Sequence, residues 1–95
     1  MRLIWSTQAI EDLRALQSYI EIDNPAAARR IILRIIECVE TMIPENPRIG
    51  RPGRVPGSRE LVVARTPYIV PYRLRRETIE VLGVHHGARR WPDHL

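Results

Sequence analysis

The sequence predicts an α+β fold: an N-terminal strand, an αα-hairpin, then a three-stranded antiparallel meander, with the helices on one face of the sheet. Three observations carry this. Apolar residues recur at spacings of three and four from Ala9 to Met42. Short β-branched runs bounded by turn residues occupy 58–86, and a Pro/Gly-dense stretch separates the two regions.

Arg2-Leu3-Ile4-Trp5 reads as the first strand, closed by Ser6-Thr7, whose hydroxyls can cap a helix. Helix 1 is expected over Gln8 to Glu21, with Ala9, Leu13, Leu16 and Ile20 as its buried stripe and Ile10 beside it. Asn24-Pro25 then restarts the chain as helix 2, to about Ile43, because Asn caps well and Pro at the first position gives up an N–H that had no partner. Its wide apolar face is Ala28, Ile31, Ile32, Ile35, Cys38, Val39 and Met42. From Pro44 to Gly57, four prolines and three glycines rule out regular structure across the segment. Strands are expected at Ser58 to Arg65, Tyr68 to Leu74 and Thr78 to His86, with a bulge or an unpartnered side at Pro71.

With 95 residues, 44% of them hydrophobic and no Phe, the chain is expected to form one domain, 1–95, with a core of Ile, Leu and Val. No apolar run reaches the ~20 residues of a membrane span, and Arg2 leads into strand-like residues without a signal-peptide core, so a cytoplasmic protein is expected. The lone Cys38 reads as a small buried hydrophobe. All fifteen basic residues are Arg, and the formal net charge is +4. Residues 1–47 hold five Arg against seven acids, whereas 48–95 hold ten Arg against four, so the positive field belongs to the second half. Such a surface suits a polyanion or an acidic protein.

Two clusters are candidates for chemistry. His85-His86-Gly87-Ala88-Arg89-Arg90-Trp91 ends the last strand; adjacent histidines point to opposite faces, and alternation leaves open which one joins the sheet arginines. Arg59, Arg65, Arg73 and Arg75 lie on the meander, with Arg51 and Arg54 in the loop before it, and could track phosphates. No metal-ligand spacing, phosphate-cradling glycine loop or serine triad is visible, and no cofactor is expected.

Trp5 before a helix, Asn24-Pro25-Ala26-Ala27-Ala28, Pro47 to Gly50-Arg51, Gly57-Ser58-Arg59-Glu60-Leu61, Pro67-Tyr68-Ile69-Val70 with Tyr72-Arg73, and His86-Gly87-Ala88-Arg89 with Trp91-Pro92 occur in order along the chain. Together they resemble the RelE/ParE toxin superfamily of bacterial type II toxin–antitoxin systems, and 57–61 and 68–73 look more like its ParE branch. The resemblance implies a toxin neutralised by the acidic, partly disordered C-terminal segment of a cognate antitoxin, in a toxin–antitoxin hetero-oligomer. ParE-type toxins of such plasmid-stabilising systems inhibit DNA gyrase; RelE-type toxins cleave mRNA on the ribosome. In the RelE case the resemblance assigns His86 to the open face as base, with Arg59, Arg73 and Arg89 at the scissile phosphate. Arg51, Arg54, Arg65, Arg75, Arg90 and Trp91 would then bind antitoxin or target. The lysines of some RelE-type nucleases have no counterpart, since the chain has none and the nearest positions are Leu61 and Val63. An inactive relative that only binds its antitoxin is the third alternative.

Overall fold

The computed structural model describes residues 1–88. Strand β1 (Arg2–Trp5) leads into α1 (Thr7–Glu21) and α2 (Pro25–Glu45), followed by β2 (Arg51–Pro52), β3 (Arg59–Val62), β4 (Tyr68–Arg75), β5 (Thr78–Val81) and β6 (His85–His86). Both helix starts follow the capping logic: Ser6 Oγ accepts from Ala9 N and Asn24 Oδ1 from Ala27 N, each at 3.0 Å. The end of α2 passes the expected Ile43, with Pro44 inside its last turn. A proline there removes one helical hydrogen bond, and Asn46 N still reaches Met42 O at 3.0 Å.

The sheet has six strands in the order β1-β5-β4-β3-β2, with β6 also on β4. The expected meander is its centre, β1 joins parallel to β5, and β2 adds an edge within the segment expected to be irregular. Two residues of pairing suffice for β2, since Arg51 and Pro52 face Glu60 and Arg59 before Gly53 turns the chain. One hydrophobic cluster joins Ala9 of α1, Ile35, Val39 and Ile43 of α2, and Leu61, Val63, Val70, Tyr72, Ile79, Val81 and Val84 from the sheet side. Leu13, Leu16 and Ile20 pack against it as the helical stripe requires. Ile10 and Met42 are instead exposed, and Ile43, one position further round α2, is fully buried.

The expected third strand of the meander is interrupted. Between the pairs Tyr72↔Val81 and Ile69↔His85, β4 contributes Val70 and Pro71, whereas the opposite strand contributes Leu82, Gly83 and Val84. This extra residue is a β-bulge, and it reverses the in–out alternation. Val81 and Val84 therefore both enter the core. Opposed residues share a face, so His85 goes with Ile69 and His86 with the buried Tyr68. The assignment of His86 to the open face is thus corrected: His85 occupies it. Pro71 lies opposite the bulge, as expected. Its carbonyl accepts from Leu82 N at 2.9 Å, so its ring nitrogen looks toward the same interrupted edge, where no ladder donor is needed.

The face away from the helices is not open throughout. Glu60 and Ile69 are only 3% and 7% exposed and Pro71 is buried as well; the Arg51–Arg54 segment folds over Glu60, and Ile69 lies beside His85 and Gly87.

Candidate functional site

Residues 46–58 carry Arg48, Arg51 and Arg54 and no acid. Three prolines and three glycines would leave such a loop without regular structure if nothing held it from behind. Tyr72, fully buried in β4, supplies the first hold: its hydroxyl accepts from Gly50 N at 2.8 Å and donates to Pro47 O at 2.7 Å. Burial raises its pKa above the ordinary 10.0, keeping the hydroxyl a donor, with the Gly50 hydrogen bond and the Arg59 charge opposing. There is no room for a side chain at Gly50, where a Cβ would stand 2.7 Å from the Tyr72 ring. From β3, Arg59 Nη1 donates to Gly50 O at 2.8 Å and Arg48 O at 3.3 Å.

Glu60 is the second hold. Its carboxylate accepts from Arg54 N at 2.8 Å and from Arg51 Nε and Nη2 at 3.3 Å each, with the Arg54 guanidinium at 3.7 Å. A carboxylate so deeply buried needs such partners. The two guanidinia are roughly half exposed, at 52% and 46%, so their outer edges face solvent. Arg73 is likewise committed to Glu80, its cross-strand partner on the same face.

His85 stands near this acid. Its Nε2 lies 4.0 Å from Asp12 Oδ2, an oxygen that also accepts from Val84 N at 3.1 Å, tying α1 to the bulge. Desolvation lowers the His85 pKa below the ordinary 6.5; Asp12 opposes, Arg54 adds to the lowering and Glu60 opposes. The unfolded chain therefore binds this proton at a pH where the folded chain does not. Stability falls as pH drops below about 6.5 and stops falling from this source once pH passes the lower folded value. Urea midpoints of the wild type should decline more steeply across that window than those of His85→Gln; parallel profiles would exclude His85 as the cause.

The structure disperses the described members of the nuclease set assigned by resemblance, Arg59, Arg73 and His86. Arg59 registers with Tyr72, so Arg73, the next residue of β4, lies on the opposite face. His86 registers with Tyr68, four residues or about 13 Å along the strand from Tyr72. There it meets the Tyr68 ring edge-on with centroids 5.6 Å apart, while its Nδ1 accepts from Ala88 N at 3.1 Å. Arg89, Arg90 and Trp91 lie outside the described residues. Arg65 sits in the β3–β4 turn at φ 64°, beside Arg30 and Arg34 of α2 rather than with the sheet arginines. Arg75 ends β4 next to Arg76 and Thr78. Leu61 and Val63, where some nucleases of this fold carry lysine, are buried in the core. Among the described residues no group of three metal-ligating side chains occurs.

The two helices over a mixed sheet that carry the arginine loop at the β2 edge form a fold shared with known proteins. The family model describing the ParE toxin of type II toxin–antitoxin (parDE) systems matches residues 3–91. This chain belongs to the ParE toxin family. Y4kP of Sinorhizobium fredii, which carries a toxin designation, is 44% identical over 94 residues, 99% of this chain and 96% of that protein. Toxin RelE2 of Caulobacter vibrioides is 32% identical over 88 residues, 93% and 97% of the two chains. Among solved structures, the chromosomal ParDE system of P. aeruginosa superposes with a TM-score of 0.81 at 32% identity, covering 90% of this chain and 95% of that one. The RelBE2 toxin–antitoxin complex of Mycobacterium tuberculosis gives 0.64 at 27% identity, with the same coverage. The α+β fold is thus that of ParE and RelE toxins, and the chain is the toxin of a type II system.

For this ParE-family chain, sequence reasoning found the loop arginines and missed what holds them. Glu60 and Tyr72 entered only as parts of the family motifs, and Glu80 and Asp12 carried no assigned role. One of these had a readable signal: Arg73 and Glu80 are equidistant from the Arg76-Glu77 turn, so any tight hairpin there pairs them. Glu60 reads locally as an ordinary wet residue between Arg59 and Leu61, and only the fold-over of the loop buries it.

Proposed function

We propose that the chain is a ParE-type toxin that acts as a binding module on DNA gyrase, trapping its DNA-cleaved state in the cytoplasm, with residues 1–95 working as one unit. The observation that carries this reading is the dispersal of the alternative machinery. A metal-independent ribonuclease needs a base and cationic groups converging on one phosphate. Here Arg59 and Arg73 occupy opposite faces, Arg59 is spent on loop carbonyls, Arg73 on Glu80, and His86 stands against Tyr68. The match to the ParE family model and the closer fit to the ParDE structure than to RelBE2 support the same choice. A cognate antitoxin with an acidic segment is the proposed neutralising partner, since both structural neighbours are toxin–antitoxin systems and the chain as a whole carries a formal net charge of +4. Brief expression in bacteria is the test. Gyrase-dependent DNA breaks with intact mRNA are expected, and antitoxin co-expression should abolish them. Cleavage of ribosome-bound mRNA without DNA breaks would sink this reading in favour of a RelE-type nuclease.

A further inference from the structure

We propose that the loop from Pro47 to Ser58 is a preformed contact for the phosphate backbone of duplex DNA, with Arg48, Arg51 and Arg54 as the contacting residues. The loop presents exposed Arg48, Ile49, Arg51, Pro52, Arg54, Pro56 and Gly57 and contains no acid. Among the described residues, the carboxylate paired with it, Glu60, is turned inward and buried, so the loop's own outward field is positive. Guanidinium groups engage phosphate oxygens bidentately, and those of Arg51 and Arg54 pair with Glu60 while staying about half exposed, at 52% and 46%.

The anchoring argues for a rigid partner surface. Tyr72, Arg59 and Glu60 fix the backbone at Pro47, Arg48, Gly50 and Arg54, and Ser58 closes the loop, its N and Oγ bonding Val55 O and its carbonyl accepting from Gly53 N at 2.8 Å. A loop already ordered loses little entropy on meeting a ligand, so a few charge-assisted contacts suffice. An acidic peptide is served less well. It would bind at a sheet edge by adding a strand, and Pro52 denies edge strand β2 a backbone donor. It would bind as a helix only along an apolar stripe, and Ile49 is the one large apolar side chain exposed between Arg48 and Arg54. Phosphates need only the guanidinia. The contact deepens the gyrase reading, because that target holds duplex DNA, and it rests on that reading for its biological setting alone.

The test is fluorescence anisotropy of the purified chain with a short labelled DNA duplex across a potassium chloride series, without gyrase. Three phosphate contacts predict a slope of log K against log salt of about −3. Arg48→Gln, exposed and outside the Glu60 pairing, should flatten the slope by about 0.9. The triple variant Arg51→Gln/Arg54→Gln/Glu60→Gln, which keeps amides where charges met, should flatten it by about 1.8. The pair Arg14→Gln/Arg29→Gln, on the helices, should leave it unchanged although it removes more charge than Arg48→Gln. Salt-independent or undetectable binding overturns the proposal, as does equal loss in the helix pair. So does tighter, Arg48-dependent binding to a polyglutamate peptide or an RNA hairpin. A chain that binds duplex DNA as predicted yet leaves gyrase supercoiling unaffected would sink the gyrase reading and keep this one.

Discussion

Tyr72→Phe lowers the unfolding free energy by about 2–3 kcal/mol while leaving the sheet intact. The ring stays, so the core loses almost no apolar burial; only the hydroxyl goes. Its loss strands two loop groups at once, the buried Gly50 N–H at 2.8 Å and the Pro47 carbonyl at 2.7 Å. A buried donor left without an acceptor costs about 1–3 kcal/mol, and water has little access to Gly50. Urea unfolding gives the magnitude, and hydrogen exchange locates it: amides of 46–54 should lose protection while those of β4 and β5 keep theirs. An unchanged midpoint would mean that the loop holds itself and that Tyr72 is only a core residue.

That tyrosine also marks the limit of what the sequence discloses. Local signals were sufficient where the governing interaction is local. Ser6 and Asn24 cap their helices within three residues, and the α1 stripe through Leu13, Leu16 and Ile20 follows from a 3.6-residue period. The Pro71 anomaly was legible too, because a proline in a central strand demands an irregular neighbour. The histidines were misassigned for a nonlocal reason. Alternation alone left the two histidines undecided and the resemblance put His86 on the open face; one extra residue at Leu82–Val84 shifts the phase and brings His85 there. Gly83 is the local hint of a bulge in that run, but its placement follows only once Pro71, eleven positions away from Leu82, is known to lie opposite it.

The arginine surface changes meaning for the same reason. Read from composition, ten arginines in the second half form one cationic sheet. In the fold the described ones divide: Arg73 is neutralised by Glu80, Arg59 serves the loop carbonyls, Arg65 turns toward α2, Arg75 and Arg76 are exposed at the β4–β5 turn, and Arg48, Arg51 and Arg54 are exposed together on the loop. Cations committed to partners inside the protein contribute to architecture, whereas a phosphate or carboxylate from outside can use only what is left over. The burial of Glu60 is what makes the remaining display rigid.

Glu60→Ala should therefore be more damaging than its position on a short edge-proximal strand suggests, costing about 3 kcal/mol. Removing one partner of a buried ion pair typically costs about 3–5 kcal/mol, because the other charge is left buried without compensation. The lower end applies here since Arg51 and Arg54 are about half exposed and can turn to water. What water cannot easily replace is the 2.8 Å bond to Arg54 N, and the alanine methyl leaves the space beneath the loop unfilled. Glu60→Gln keeps an acceptor for that amide and fills the site, so it should cost about 1 kcal/mol. Chemical denaturation of the two variants gives the comparison, and a double-mutant cycle with Arg51→Gln isolates the ion pair from the backbone bond. If the Arg54 amide dominates, the coupling between positions 51 and 60 is small and Ala remains far worse than Gln even with Arg51 replaced. If the ion pair dominates, Gln and Ala converge in that background, and Glu60 acts on the loop through charge rather than through the backbone it holds.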